Sequence, residues 1–151
     1  MMSIKIKNII FLLIFIPTIS YSQNINHFWN DIGITIQQLF IKMNAPDDVE
    51  YQAESNSYWF AYDYGEKAII YIIDKGLVVN VIFMKSNVDG DNIANEFCDI
   101  YRKSLDDGFK ADTTSAGFYI NKKDNIIQTA DIGKIENEFI LTVVVTRIEN
   151  E

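Results

Sequence analysis

Histidine and cysteine, on which much site chemistry depends, are almost missing: the 151-residue chain has one of each, His27 and Cys98. A single cysteine excludes an internal disulfide whatever the compartment. One histidine and one cysteine cannot form a zinc site of the usual kind. Any Ser-His-Asp set would have to use His27, and no Gly-x-Ser-x-Gly elbow, Gly-x-Gly-x-x-Gly turn or phosphate loop occurs. Positive charge is also scarce. Thirteen Lys and Arg stand against 21 Asp and Glu, a formal net charge of −8. That balance repels phosphate backbones and anionic lipid surfaces, so nucleic acid is not an expected partner.

The remaining polar residues give no stronger chemistry. Asn87–Asn92 opens like a calcium loop, but its sixth position is Asn92 instead of glycine and its twelfth is Cys98 instead of glutamate. The segment reads better as a helix cap. Asp63 and Glu66 beside Trp59 and Tyr64 could be imagined as a glycosidase pair, with only their closeness in sequence for support. His27, at the start of the first expected helix, reads as a solvated or capping residue, and Cys98 as a small semi-buried one. No cofactor, metal or catalytic residue is expected.

What the chain does have is apolar and aromatic residues, 48% and 13% of the total, enough for one domain with a real core. Met1–Lys7 is a short basic leader, Ile9–Ile16 an unbroken apolar run, and Pro17 ends it before small residues at Ser20 and Ser22. This is the three-part layout of a secretory signal peptide, and the run is too short for a spanning helix. The expectation is a cleaved signal at 1–22, cut near Ser22, and one domain over 23–151. Without Lys5 and Lys7 the charge falls from −8 to −10.

Apolar residues at helical spacing (Ile25, Trp29, Ile32, Ile36, Leu39, Phe40, Met43) predict a helix over Asn24–Asn44, capped by Asn26 and stopped at Pro46. Gly33 and its β-branched neighbours weaken it. Three strands follow at Tyr58–Tyr64, Lys67–Asp74 and Leu77–Lys85, joined by Gly65-Glu66 and Asp74-Lys75-Gly76 turns. Pro46–Asn56 reads as a connecting loop or a short edge strand. A second helix, capped by Asp89 or Asp91, carries Ile93, Phe97, Ile100, Tyr101 and Leu105 and ends at Gly108. Strands at Gly117–Asn121, Asn125–Asp131 and Glu138–Arg147 complete the order αβββαβββ. The second half echoes the first in topology without residue identity. The expected fold is α+β: a two-layer sandwich of about six antiparallel strands with both helices on one face.

A sheet covered on one side should alternate apolar with polar residues. The strands at 67–74 and 77–85 are apolar on both faces, so a second cover is needed: sheet closure, a second copy of the chain, or another partner. Simple alternation assigns Tyr58, Phe60, Ile70, Ile72, Val79 and Val81 to the helices. It leaves Trp59, Ile69, Tyr71, Ile73, Val78 and Ile82 as the candidate partner surface; exchanging the two faces satisfies the same pattern and still requires two covers.

The order of Thr35–Leu39, Met43–Asp47, Tyr58–Phe60, Ile70–Leu77 and a second helix with Tyr101 resembles small exported helix-plus-meander proteins of Gram-negative bacteria, over roughly Thr35–Asp106. That group brings no catalytic or binding residues. The order also looks like small periplasmic inhibitor, secretion-chaperone and outer-membrane-assembly domains, at the level of fold alone. Three readings follow. The first is an exported, non-enzymatic protein-binding module, meeting another protein or itself through the outer sheet face. The second is a small-ligand carrier with an apolar cavity, and the third a small envelope hydrolase. Periplasmic and extracellular addresses fit equally.

Overall fold

The computed structural model describes residues 25–112, 119–123 and 125–148. The expected signal peptide and its cleavage point, and the start of the strand expected at Gly117, lie outside the described residues. Within them, eight strands form one antiparallel sheet: β1 (Asp48–Gln52), β2 (Ser57–Asp63), β3 (Lys67–Asp74), β4 (Leu77–Asn87), β5 (Lys110–Asp112), β6 (Tyr119–Lys123), β7 (Ile126–Ile135) and β8 (Glu138–Arg147). Two helices, α1 (Ile36–Met43) and α2 (Gly90–Asp106), lie on one face of it. The α+β two-layer sandwich is therefore the fold. The short strands β1 and β5 extend the expected sheet by one strand at each edge.

Turn chemistry sets the register. At Gly65-Glu66 the Tyr64 N–H donates to the Lys67 carbonyl at 2.8 Å, and Gly65 takes φ +80°, as a tight turn with glycine first requires. Lys75 and Gly76 both have positive φ (49° and 80°), the mirror-image turn that matches strand twist. The first turn places Phe60 opposite Tyr71 and Tyr62 opposite Ile69. Simple alternation misassigns β3 by one residue, because it does not count outward from the turn. The irregularity opposite Ile72/Ile73, where Val79 is left over, then shifts the phase of β4, so Val78 and Val81 share the helix side.

The expected helix over 24–44 is broken. Ile25–Asp31 is 3-10 in character with a kink at His27, and Gly33 takes φ +89°. The chain there turns to pair with β4: Gly33 N–H donates to the Val78 carbonyl at 2.8 Å, and Val78 N–H to the Ile34 carbonyl at 2.9 Å. Sheet hydrogen bonds win over a helix that glycine and β-branching had already weakened. A new helix begins at Ile36, capped by Thr35 instead of Asn26, with a reciprocal Thr35–Gln38 capping box. The tighter winding turns both Phe28 and Trp29 inward, where both are buried. Helix α2 starts at the expected Asp89 cap and is followed by Gly108 at φ +90°.

The core lies between the helices and the sheet. Phe28 stacks on Phe83, Phe40 on Phe60, and Leu39, Met43, Ile93 and Ile100 pack among Ile69, Tyr71, Val81, Leu141 and Val143. The strand order is β1-β2-β3-β4-β8-β7-β6-β5. Each half is a helix followed by a four-stranded meander, and the halves meet at the antiparallel β4–β8 seam. The topological echo is thus an approximate two-fold about that seam. Even the left-handed first turn residue recurs, Lys75 in one half and Glu136 (φ 53°) in the other.

Candidate functional site: the open face of the sheet

The side of the sheet away from the helices is lined by cross-strand rows. One row runs Glu50, Trp59, Ile72, Asn80, Thr146 and Ile127 across six strands. The next runs Asp48, Ala61, Ile70, Ile82, Val144 and Thr129. A shorter one holds Asp63, Ala68, Met84, Thr142 and Asp131. On the five central strands the first two rows carry no charged residue. Trp59, Ile70, Ile72, Ile82, Met84, Val144 and Ile127 all keep part of their surface open to solvent. Isolated exposed apolar residues are normal, but a contiguous apolar face of this width is the kind of patch that marks an interaction site.

Of the six residues expected there, Trp59 and Ile82 lie on this face. The other four do not. Ile69, Tyr71, Ile73 and Val78 are at most 1% exposed and sit beneath the helices. Their assignment to a partner surface is corrected by the turn-counted register and by the bulge at Val79. Sequence reasoning assigned Ile70 and Ile72 to the opposite side. Counting two residues outward from Gly65-Glu66 would have placed them correctly.

The polar clusters are on the other side and hold the helical layer down. Asp31, only 3% exposed, accepts from the Tyr71 hydroxyl at 2.7 Å and from Lys42 Nζ at 2.5 Å. Burial, then the nearby Asp31 carboxylate, pushes the Tyr71 hydroxyl far above its ordinary pKa, so it stays a donor. Glu96 on α2 accepts from Lys67 and Lys85, each at 2.9 Å. Burial works to raise its carboxyl, and the two lysines more than offset this, leaving it below the usual value. Asp107 Oδ2 accepts from Trp29 Nε1 at 2.6 Å and from His27 Nδ1 at 2.8 Å. This gives a reason for an aspartate just past a helix C-terminus, where the macrodipole disfavours it. It anchors the 3-10 segment.

These pairs are saturated with internal partners, and none presents a free acid and base to a common cavity. The crevice beside Glu96, lined by Phe28, Lys67, Phe83, Asp99 and Lys103, holds about 10 Å³, room for one water. Asp63 and Glu66 stand at the exposed hairpin end, where Asp63 accepts from the Gly65 N–H and Glu66 from Asn87. Cys98 is exposed on α2. Among the described residues, no group of three or more His, Cys, Asp or Glu could hold a metal ion, and no helix is long and apolar enough to cross a membrane.

No protein-family model matches the chain, and no curated protein matches it. Among solved structures, it is similar to an extracellular protein containing a SCP domain from Bacillus anthracis str. Ames. The identity is 12% and the TM-score 0.40, over 78% of this chain and 44% of that one. The chain thus spans less than half of that protein's length, and the likeness is too low to bear on function.

Proposed function

We propose that this chain is an exported, non-enzymatic protein-binding module, of the inhibitor, chaperone or envelope-assembly kind, that seats a protein on the open face of its sheet. One observation carries the reading: the Trp59–Ile127 and Ala61–Thr129 rows are uncharged across five strands and remain partly exposed. Burying such a face contributes roughly 25 cal/mol for each Å² of apolar surface removed from water. Export rests on the basic leader, apolar run and small residues of 1–22. The non-enzymatic reading rests on a chain with one histidine and one cysteine, in which the carboxylates of Asp31 and Glu96 are already paired. The crevice beside α2, at about 10 Å³, is far below the roughly 300 Å³ of a usual ligand site, so it would not serve a carrier of small apolar ligands.

The test compares two glutamate substitutions. Ile82→Glu, on the open face, leaves the fold intact by circular dichroism and abolishes capture of the envelope protein or second copy that the wild-type chain retains. Ile69→Glu, in the core, prevents folding. Equal capture by wild type and Ile82→Glu would exclude this face as the binding surface. N-terminal sequencing of the exported chain should begin at Gln23.

A further inference from the structure

We infer that α1 is a strap: it lifts from the sheet as a unit between two fixed ends while the sheet stays folded, and Lys42 is its latch. The inference concerns the helix side of the sheet and stands apart from the binding reading above.

Main-chain bonds pin the two ends. Ile36 N–H donates to the Gly76 carbonyl at 3.2 Å, and Asp47 N–H donates to the Ala61 carbonyl at 2.8 Å. Between them, among the described residues, no backbone hydrogen bond joins the chain to the sheet. The α1 backbone also stands farther from the strands than that of α2, which comes close to β4 and β8. Side chains must span the gap. An eight-residue helix is too short to be stable alone, so those side chains decide whether it stays down.

Few of them do so. Within α1 only Leu39 and Met43 are buried, while Ile41 is 83% exposed. Phe40 is 40% exposed although its ring stacks on Phe60. Lys42 Nζ crosses to the buried Asp31 carboxylate, which is its one ion pair. At the exit, the Asn44 carbonyl accepts from the Tyr62 hydroxyl at 3.1 Å. Asn44 itself has φ 64° and ψ −160°, a strained conformation for a residue with a side chain. Lifting α1 relieves that strain and so offsets part of the packing it loses. A segment with so few buried apolar anchors belongs to the low-stability end of a fold, from which moving elements are drawn.

The floor beneath the strap holds together without it. Phe60 stands opposite Tyr71, and the Tyr62 ring meets Tyr71 edge-on with centroids 5.7 Å apart. Phe40 touches Phe60, Lys42 the Asp31–Tyr71 pair, and Asn44 the Tyr62 hydroxyl. When α1 lifts, Asp31 keeps the Tyr71 hydroxyl as a donor, and water reaches the oxygen that Lys42 leaves. The opening therefore uncovers an aromatic floor bearing two phenol hydroxyls and a carboxylate, with every strand still paired. Helix α2 is not built to do the same. Its Glu96 is clamped by lysines from two strands, and Ser104 is bonded to Gln128 of β7.

Thiol labelling of the folded full chain tests the strap. In a Cys98→Ser background, Met43→Cys reports lifting of α1, and Val81→Cys, in the core, reports global unfolding. The thiol at 43 should label at least about a hundredfold faster than the thiol at 81, at a rate indifferent to low urea. Adding Lys42→Met should speed labelling at 43 by about tenfold and leave the rate at 81 little changed. Equal rates at the two positions overturn the strap. Equal acceleration at both positions overturns the latch, because Lys42 would then act only on overall stability. Hydrogen exchange of the unsubstituted chain gives the same answer should a cysteine variant not fold. Amides of 39–44 that exchange well before those of β3 and of the middle of α2 support the strap, and amides that exchange together with them overturn it.

Discussion

At the scale of the residue, Asp107 shows how a locally unfavourable choice is repaid by a distant contact. It stands just past the end of α2, yet its carboxylate ties down His27 and Trp29. Burial works to raise its pKa, and hydrogen bonds from His27 and Trp29, with the attraction of His27 and a weaker bond from Asn30, bring it below the ordinary 3.8. A carboxyl with a depressed folded-state pKa contributes stability that is fully present above its unfolded value. The contribution disappears as pH falls through the folded value. Asp107→Asn should therefore cost about 1–2 kcal/mol at pH 7, lowering the melting temperature by about 3–8 °C. The gap from wild type should narrow as pH falls below 3.8, as followed in urea melts at several pH values. A gap constant with pH would mean the charge plays no part. Tyr71→Phe provides a second case. It leaves Asp31 Oδ2 without its donor inside the core, for an expected loss of about 1–3 kcal/mol by chemical denaturation.

At the scale of the element, the break at Gly33 decides where the helical layer sits. A Cβ at this position would come no nearer than 3.9 Å to Arg147, so space is not the constraint. Its φ of +89° is, and Gly33→Ala should destabilise the fold by about 1–2 kcal/mol in equilibrium unfolding. A neutral result would show that the segment can re-form as a continuous helix. The weakness of that helix was legible from Gly33, Ile34 and Thr35, but its outcome was not. The competing bonds to Val78 come from a strand far along the chain. Local signals fared better where local chemistry decides: the two tight turns, the Asp89 cap and the Gly108 stop all formed at the expected places. That β3 and β4 are apolar on both faces was also legible, in the runs 68–73 and 77–84. Which of these residues face away from the helices was legible only in part. Trp59 and Ile82 follow from alternation, whereas Ile70 and Ile72 require counting from the turn, and the phase of β4 depends on a bulge at Val79 that no residue type announces.

At the scale of the molecule, the pseudo-two-fold raises the question of whether the halves are separable. Their contacts argue against it. Helix α2 belongs to the second half by sequence but packs across β4 as well as β8. Trp29 belongs to the first half, is fully buried, and sets its ring edge against Phe109 while its indole N–H reaches Asp107. On the far side, Ser104 Oγ joins α2 to Gln128 of β7 at 2.9 Å, and the buried side chains form one continuous cluster through both meanders. Shared burial of this kind makes neither half stable without the other, so a single cooperative transition is expected. The two tryptophans make this measurable, because Trp59 lies on the open face and Trp29 at the junction. In a Trp59→Phe variant, the fluorescence of Trp29 reports only the joint between the halves, while far-ultraviolet circular dichroism reports the whole sheet. The two urea curves should coincide in midpoint and slope. If Trp29 instead becomes exposed at clearly lower urea than the sheet is lost, the seam opens before the meanders melt. The two-fold would then be a joint between independent folding units.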